Sequence, residues 1–229
     1  MKVVSCKLFQ SVLPPLVLIL SVTLACDDRF QAQASPEVEY GNVGIDIEGT
    51  DACQSDDIYE TMKTMVGWIP PLSLEVRGIS VRIPYRAEEN RQVGSYGDTR
   101  NEGAKFHAGT DLLAEEGEDV LAVASGKVIA ATASSGAFGT YVVLRVPIIV
   151  PPARPCAVDF YYAHLSQVTV KTGEDVVSGQ ALGKVGRSGN VSTNIPTHLH
   201  IEMWLGKYAS SLDVRKQKTR DIIPLFGWF

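Results

Sequence analysis

The chain has 229 residues, enough for one large or two small domains with an ample core. Its hydrophobic and charged fractions, 45% and 21%, are ordinary for a globular protein and argue against wholesale disorder. The formal net charge of −5 shows no basic excess, which argues against nucleic acid as the main partner. The 20 glycines and 12 prolines indicate many turns and therefore a mainly β fold.

The N-terminus is typical of an export signal. Lys2 and Lys7 precede an apolar run over residues 12–25, shorter than the about 20 residues that a membrane-spanning helix needs. Two processing sites compete. Thr-Leu-Ala-Cys at residues 23–26 resembles a bacterial lipoprotein box, with threonine where leucine is usual, and would place a lipid anchor on Cys26. Ala-Gln-Ala at residues 32–34 is the alternative cleavage site. Either site predicts an exported protein of the cell envelope or periplasm.

We predict four segments: a signal peptide over 1–25, a flexible polar spacer over 26–52, an extension over 53–89 and a main domain over 90–229. In the extension, the spacing of Ile58, Met62, Met65 and Val66 indicates a short amphipathic helix. Alternation over residues 72–77 and 79–83 predicts two half-buried strands.

Two cysteines remain outside the predicted signal and its cleavage region, Cys53 and Cys156. In an oxidising compartment they can pair, which predicts a disulfide. The alternative is two unrelated buried thiols.

The main domain contains an internal repeat. Gly-Glu-Asp-Val at 117–120 leads to Gly-Lys-Val at 126–128, and the same two motifs recur at 173–176 and 183–185. Such twin hairpins predict a pseudo-symmetric β fold of the barrel or sandwich type. The strongest strand predictions are residues 120–131, 140–146, 160–164 and 199–204. Residues 147–155 carry four prolines and are predicted to form a loop, and residues 220–226 a final docking segment.

All four histidines lie in three clusters of the main domain. His198 and His200 are two residues apart on a predicted strand, so both imidazoles face one side, where one can bind a metal and the other reach its water. His107 and Asp111 flank a glycine turn that lets imidazole and carboxylate converge. His164 stands among aromatic residues. Each cluster alone is more typical of structural histidines, but their joint occurrence favours one zinc site.

In order and spacing, these motifs resemble the lysostaphin-type zinc metalloendopeptidases, bacterial peptidoglycan hydrolases with a duplicated hybrid motif. The resemblance covers about residues 90–205 and rests on Ser-Tyr-Gly-Asp-Thr-Arg at 95–100, Phe-His-Ala-Gly-Thr-Asp-Leu at 106–112, Val-Ala-Ser-Gly-Lys-Val at 123–128, Gly-Thr-Tyr-Val-Val-Leu at 139–144, Tyr-Ala-His-Leu-Ser at 162–166, Val-Val-Ser-Gly-Gln-Ala-Leu-Gly at 176–183, Gly-Arg-Ser-Gly at 186–189 and His-Leu-His at 198–200.

Carried over residue by residue, the resemblance implies a metallopeptidase domain over 90–229 whose single Zn²⁺ is held by His107, Asp111 and His200. It implies that His164 and His198 flank the metal's water, one as general base and one stabilising the oxyanion, with peptidoglycan peptides as substrate. Lys105 departs from the family, in which many members have arginine there.

A non-catalytic regulator of the same fold, which binds cell wall or activates an amidase, is the alternative function. Such relatives typically lack the metal ligands, whereas this chain retains all five site residues.

Overall fold

The computed structural model describes residues 56–72, 83, 93–101, 104–133, 136–150, 154–206 and 211–227. All of these belong to one compact unit within Asn42–Phe229. The described part is mainly β with a short N-terminal helix, which confirms the predicted fold class. Its helices are α1 (Asp56–Thr64), α2 (Leu212–Lys218) and a 3-10 helix (Ile223–Phe226). Its strands are β1 (Gly97–Arg100), β2 (Lys105–His107), β3 (Thr110–Leu113), β4 (Asp119–Leu121), β5 (Gly126–Thr132), β6 (Thr140–Val150), β7 (Arg154–Val168), β8 (Asp175–Val176), β9 (Ala181–Val185), β10 (His198–Leu205) and β11 (Thr219–Arg220).

Most strands belong to one antiparallel sheet. Its main path is β11-β10-β7-β6-β5-β8, while β3 pairs with β10, and β9 pairs with both β7 and β4. Strands β1 and β2 form a separate two-stranded sheet. Every residue of β10 is buried, because β10 lies between neighbouring strands in the middle of this assembly.

The two sequence repeats pair with each other reciprocally. Strand β4 of the first repeat pairs with β9 of the second, and β5 of the first pairs with β8 of the second. The turns repeat this exchange, since Gly117 N–H donates to Val185 O and Gly173 N–H donates to Val128 O. The predicted pseudo-symmetry is therefore present, and it joins the distant halves of the domain in one sheet. The predicted twin hairpins are wrong, because the described strands of each repeat pair with those of the other repeat and not with each other.

The described parts of the proline-rich segment, residues 147–150 and 154–155, belong to strands β6 and β7 rather than to the predicted loop. Strands β6 and β7 continue in register through Pro147 opposite Ala157 and Ile149 opposite Pro155. Strand β5 pairs with β6 only as far as Arg145. Beyond that residue β6 pairs, among the described strands, with β7 alone. Proline is tolerated in such an edge position because no second neighbour needs its N–H.

Helix α1 packs into the main core through Ile58 and Met62, both fully buried. Met65 is partly buried against the same core. Val66 is 84% exposed and lies beyond the end of α1, so its predicted place in the amphipathic helix is wrong. The predicted strands over 72–77 and 79–83 lie almost entirely outside the described residues, although Leu72 forms a bridge with Val120.

The C-terminal segment docks as predicted. Ile222, Ile223 and Leu225 are buried in the main core, and Tyr59 Oη of α1 donates to Asp221 O over 2.8 Å. Among the described residues no helix is long and apolar enough to cross a membrane.

The predicted disulfide is not supported. Cys156 is a free thiol, only 2% exposed, on β7 opposite Ile148 and within the apolar core. The core packing explains its burial without a covalent partner. Cys53, like the predicted signal, the spacer and Cys26, lies outside the described residues.

Candidate metal centre

Strands β3 and β10 bring the first and third histidine clusters together. Asp111 lies opposite His200 in their antiparallel pairing, and His107 ends β2 just before the turn into β3. A Cβ on Gly109 in that turn would lie 2.5 Å from Ile201 O and 2.9 Å from His200 Cε1. Only glycine permits so close an approach, so the turn sets His107 beside His200.

Three ligand-type atoms meet at this point. His107 Nε2 lies 3.1 Å from His200 Nδ1 and 3.3 Å from Asp111 Oδ1, and the last two atoms are 2.8 Å apart. Ligands held in a zinc tetrahedron at about 2.0–2.1 Å lie about 3.3 Å from each other. The three side chains are buried and supply the N and O donors that zinc takes. They therefore fit one zinc ion with a coordination position to spare.

The outer nitrogen of each candidate histidine ligand is bound to an acceptor. His107 Nδ1 donates to Ser95 O over 2.9 Å, and His200 Nε2 donates to Glu202 Oε1 over 3.1 Å. These acceptors fix the rings and direct His107 Nε2 and His200 Nδ1 into the cluster, as outer partners of metal ligands do.

Glu202 is fully buried and collects three donors. Besides His200 it accepts from Trp204 Nε1 over 2.8 Å and from Arg215 Nη2 of helix α2. The Arg215 guanidinium also stacks 5.6 Å from the Phe138 ring centroid. Helix α2 is thus joined to the candidate ligand His200 through one carboxylate.

His164 and His198 stand beside the cluster. His164 Nδ1 donates to Ser188 O over 2.9 Å and His198 Nδ1 to Pro196 O over 2.8 Å, which leaves both Nε2 lone pairs to accept protons. The two ring centroids are 5.1 Å apart. His198 Nε2 lies 3.7 Å from Asp111 Oδ1.

A β-bulge places His164. Between the pairs Val142–Tyr162 and Thr140–Leu165, β7 has two residues where β6 has one. His164 adopts φ 64°, and its N–H donates to Phe138 O over 2.9 Å. A left-handed histidine is unfavourable and persists where surrounding structure holds it, which is frequent at functional sites.

Three of the histidines are neutral at neutral pH. Burial lowers the pKa of His107 and His198 below 6.5, and burial together with His200 and His198 lowers that of His164 to about 4. Neutral imidazoles can accept a proton or bind a metal.

His200 differs because it lies between two carboxylates. Burial alone would lower the pKa of His200, but hydrogen bonds with Asp111 and Glu202 raise it to about 9. Burial raises the pKa of Asp111, and hydrogen bonds with His107 and His200 outweigh this and hold it well below 3.8. The metal-free cluster therefore keeps a proton on His200, which a metal would displace.

A cavity adjoins His198. Its lining residues are Leu113, Ala114, Glu115, Glu116, Pro196 and Thr197. Arg187 shapes the segment before His198, with Nη1 donating to Thr197 Oγ1 over 2.8 Å and Nη2 to Ser192 O and Ile195 O over 2.6 and 2.8 Å. This segment forms an ordered wall next to the cluster.

All five predicted site residues thus lie in one cluster, while the roles given to them stay predictions. Sequence reasoning missed Glu202, although its position two residues after His200 on one strand face was a signal. It assigned no role to Arg100, which contacts His107 and Asp111. Nothing in the local sequence pointed to Arg215.

The family model of peptidase family M23 matches residues 105–213. An uncharacterized metalloprotease of Buchnera aphidicola subsp. Baizongia pistaciae is 29% identical over 117 residues, which are 51% of this chain and 27% of that protein. This chain therefore spans only about a quarter of that relative's length.

Among solved structures, the catalytic domain of lysostaphin from Staphylococcus simulans is similar at 25% identity and a TM-score of 0.47, over 69% of this chain and 99% of that one. A zinc-containing peptidase from Vibrio cholerae is 31% identical at a TM-score of 0.37, over 44% of this chain and 27% of that one.

Proposed function

Residues 105–213 belong to peptidase family M23, and from this premise we propose that the protein is an exported zinc endopeptidase that hydrolyses peptide bonds of peptidoglycan. The observation that carries the proposal is the cluster of His107 Nε2, Asp111 Oδ1 and His200 Nδ1, all within 3.3 Å of each other. Two further histidines with directed Nε2 atoms stand beside it.

When bound, zinc would polarise the scissile carbonyl and lower the pKa of a water toward about 7. The protein groups move the proton. His198 Nε2 accepts it from the attacking water, because Asp111 Oδ1 at 3.7 Å stabilises the imidazolium that forms. Protonated His198 then donates to the leaving amine.

His164 has a second role in this proposal. Its Nδ1–H is committed to Ser188 O and its pKa is lowered by burial to about 4, so at neutral pH its Nε2 presents a lone pair that accepts a hydrogen bond from the attacking water and orients it. The bulge in β7 keeps its ring 5.1 Å from that of His198, near enough for both to serve one scissile amide.

Export and a lipid anchor at Cys26 belong to the same proposal. They are supported by the basic, apolar and Thr-Leu-Ala-Cys stretches over residues 2–26. Peptidoglycan lies outside the cytoplasm, so the proposed substrate requires the proposed export.

The test is incubation of the zinc-loaded protein with purified cross-linked muropeptides, followed by mass spectrometry. We expect products cut at one type of amide, and none from chelator-treated protein or from His198→Ala. Unchanged muropeptides in the presence of fully loaded protein would overturn the proposal. Binding without cleavage would favour the non-catalytic regulator instead.

A further inference from the structure

A cation reaches into the ligand cluster from the protein surface. Arg100 is the last residue of β1, with a side chain 36% exposed. Its Nη2 lies 2.6 Å from Asp111 Oδ2 and 2.9 Å from His107 Nε2. Its Nε is 3.4 Å from Val93 O, so the guanidinium is held at both ends.

The two oxygens of Asp111 have different partners. Oδ1 faces His200, His107 and His198 at 2.8, 3.3 and 3.7 Å, whereas Oδ2 accepts from Arg100. The carboxylate is buried and ionised, and the guanidinium of Arg100 is a permanent positive charge in direct contact with it. In the metal-free protein the guanidinium therefore supplies charge that a metal ion would otherwise supply.

Arg100 also contacts a candidate ligand atom, His107 Nε2. His107 Nδ1 donates to Ser95 O, so its Nε2 presents a lone pair, and Arg100 Nη2 has a second N–H aimed at it. That lone pair is the one a metal would take. Metal and guanidinium thus compete for His107 and repel each other as like charges close together at a buried site.

We propose that Arg100 is a resident counter-ion of Asp111 that stabilises the metal-free site and weakens metal binding there. The inference rests on the ligand set of the proposed function but not on proteolysis. It gives the site a way to lose its metal while the fold persists, since the buried carboxylate keeps a charged partner.

A purely geometric role predicts the opposite sign. If Arg100 served only to orient Asp111, its removal would weaken metal binding, as the loss of an outer partner usually does, by about 10- to 100-fold. The direction of the change in affinity therefore separates the two roles.

The experiment uses the full chain and three variants. Arg100→Met removes the charge at similar length, and Arg100→Lys keeps the charge but loses the forked geometry. Lys105→Met is the matched control. Lys105 is the exposed cross-strand neighbour of Arg100, so this substitution removes the same charge outside the cluster. The zinc dissociation constant is measured by competition with a chromophoric chelator, and urea unfolding is followed after metal removal.

We expect Arg100→Met to bind zinc about tenfold more tightly, as removal of a like charge near a cation requires, and to unfold at lower urea when metal-free. Arg100→Lys and Lys105→Met should stay within about threefold of the unchanged protein, because both leave a cation beside the site. Should Arg100→Met fail to fold, Arg100→Gln retains one donor for Asp111 and carries the same expectation.

Weaker zinc binding by Arg100→Met or Arg100→Gln would overturn the inference. It would also be overturned if Arg100→Lys gained as much zinc affinity as Arg100→Met. If the unchanged protein binds zinc tightly and neutralising Arg100 does not increase its zinc affinity, this inference is refuted while the proposed function stands. Absence of zinc binding in the unchanged protein would refute the ligand set and the proposed function together.

Discussion

Glu202 accepts the outer N–H of the candidate ligand His200. The substitution Glu202→Gln keeps the side-chain shape and one carbonyl oxygen but removes the charge. It also replaces an acceptor with an NH₂ group in a fully buried position. Of the donors from His200, Trp204 and Arg215, at least one must then face another donor.

The size of the effect follows from this loss. Breaking a buried ion pair by removal of one partner costs about 3–5 kcal/mol, and Gln retains part of the hydrogen bonding. We therefore expect the free energy of unfolding of the metal-free protein to fall by about 3 kcal/mol. Zinc affinity should fall about 10- to 100-fold, because the His200 ring loses its fixed orientation.

Urea denaturation and chelator competition measure the two effects. Glu116→Gln is the control, since it removes a carboxylate from an exposed position near the site. A Glu202→Gln protein that binds zinc within about twofold of the unchanged protein would refute the role given to Glu202. Equal losses in the Glu116→Gln control would show that net charge, and not this contact, is responsible.

Three further predictions concern other parts of the site. Hydrogen bonds with its two carboxylate neighbours outweigh burial and raise the pKa of His200 to about 9 from 6.5, so its stabilising contribution to the metal-free fold is complete below pH 6.5 and disappears as the pH rises through about 9. Urea unfolding across this range should show that loss, and an equal slope in zinc-loaded protein would contradict it. His164→Asn should abolish hydrolysis but change the free energy of unfolding by less than about 1 kcal/mol, because Asn tolerates positive φ. His164→Val should be clearly less stable, because a β-branched residue does not tolerate it. Equal denaturation temperatures of the two variants would contradict the strain at φ 64°. Gly109→Ala should reduce bound zinc by at least about tenfold, because its Cβ would lie 2.5 Å from Ile201 O; full metal content by emission spectrometry would contradict the close approach.

Residue chemistry made the cluster itself predictable. Histidines two apart on a strand face one side, and a glycine between His107 and Asp111 lets the chain turn. The repeated Gly-Glu-Asp-Val motif predicts two units related by pseudo-symmetry, which the structure shows. The strands of each unit pair with the other unit and not with each other, so the predicted hairpins are wrong.

Other features depend on tertiary context that no local pattern carries. The prolines of residues 147–155 predict a loop, yet Pro147 is tolerated in β6 because the pairing of β5 with β6 stops at Arg145. Val66 fits the helical period, but α1 ends at Thr64. Arg215 reaches Glu202 only because α2 folds back on β10.

The central claim is a division of labour among five residues, and one measurement tests it directly. Zinc content and muropeptide cleavage are determined side by side for alanine variants of His107, Asp111, His200, His164 and His198. We predict that the first three lose the metal, while the last two keep about one zinc per chain and lose turnover. If all five variants lost or kept the metal alike, the separation of ligands from proton-transferring histidines would be wrong.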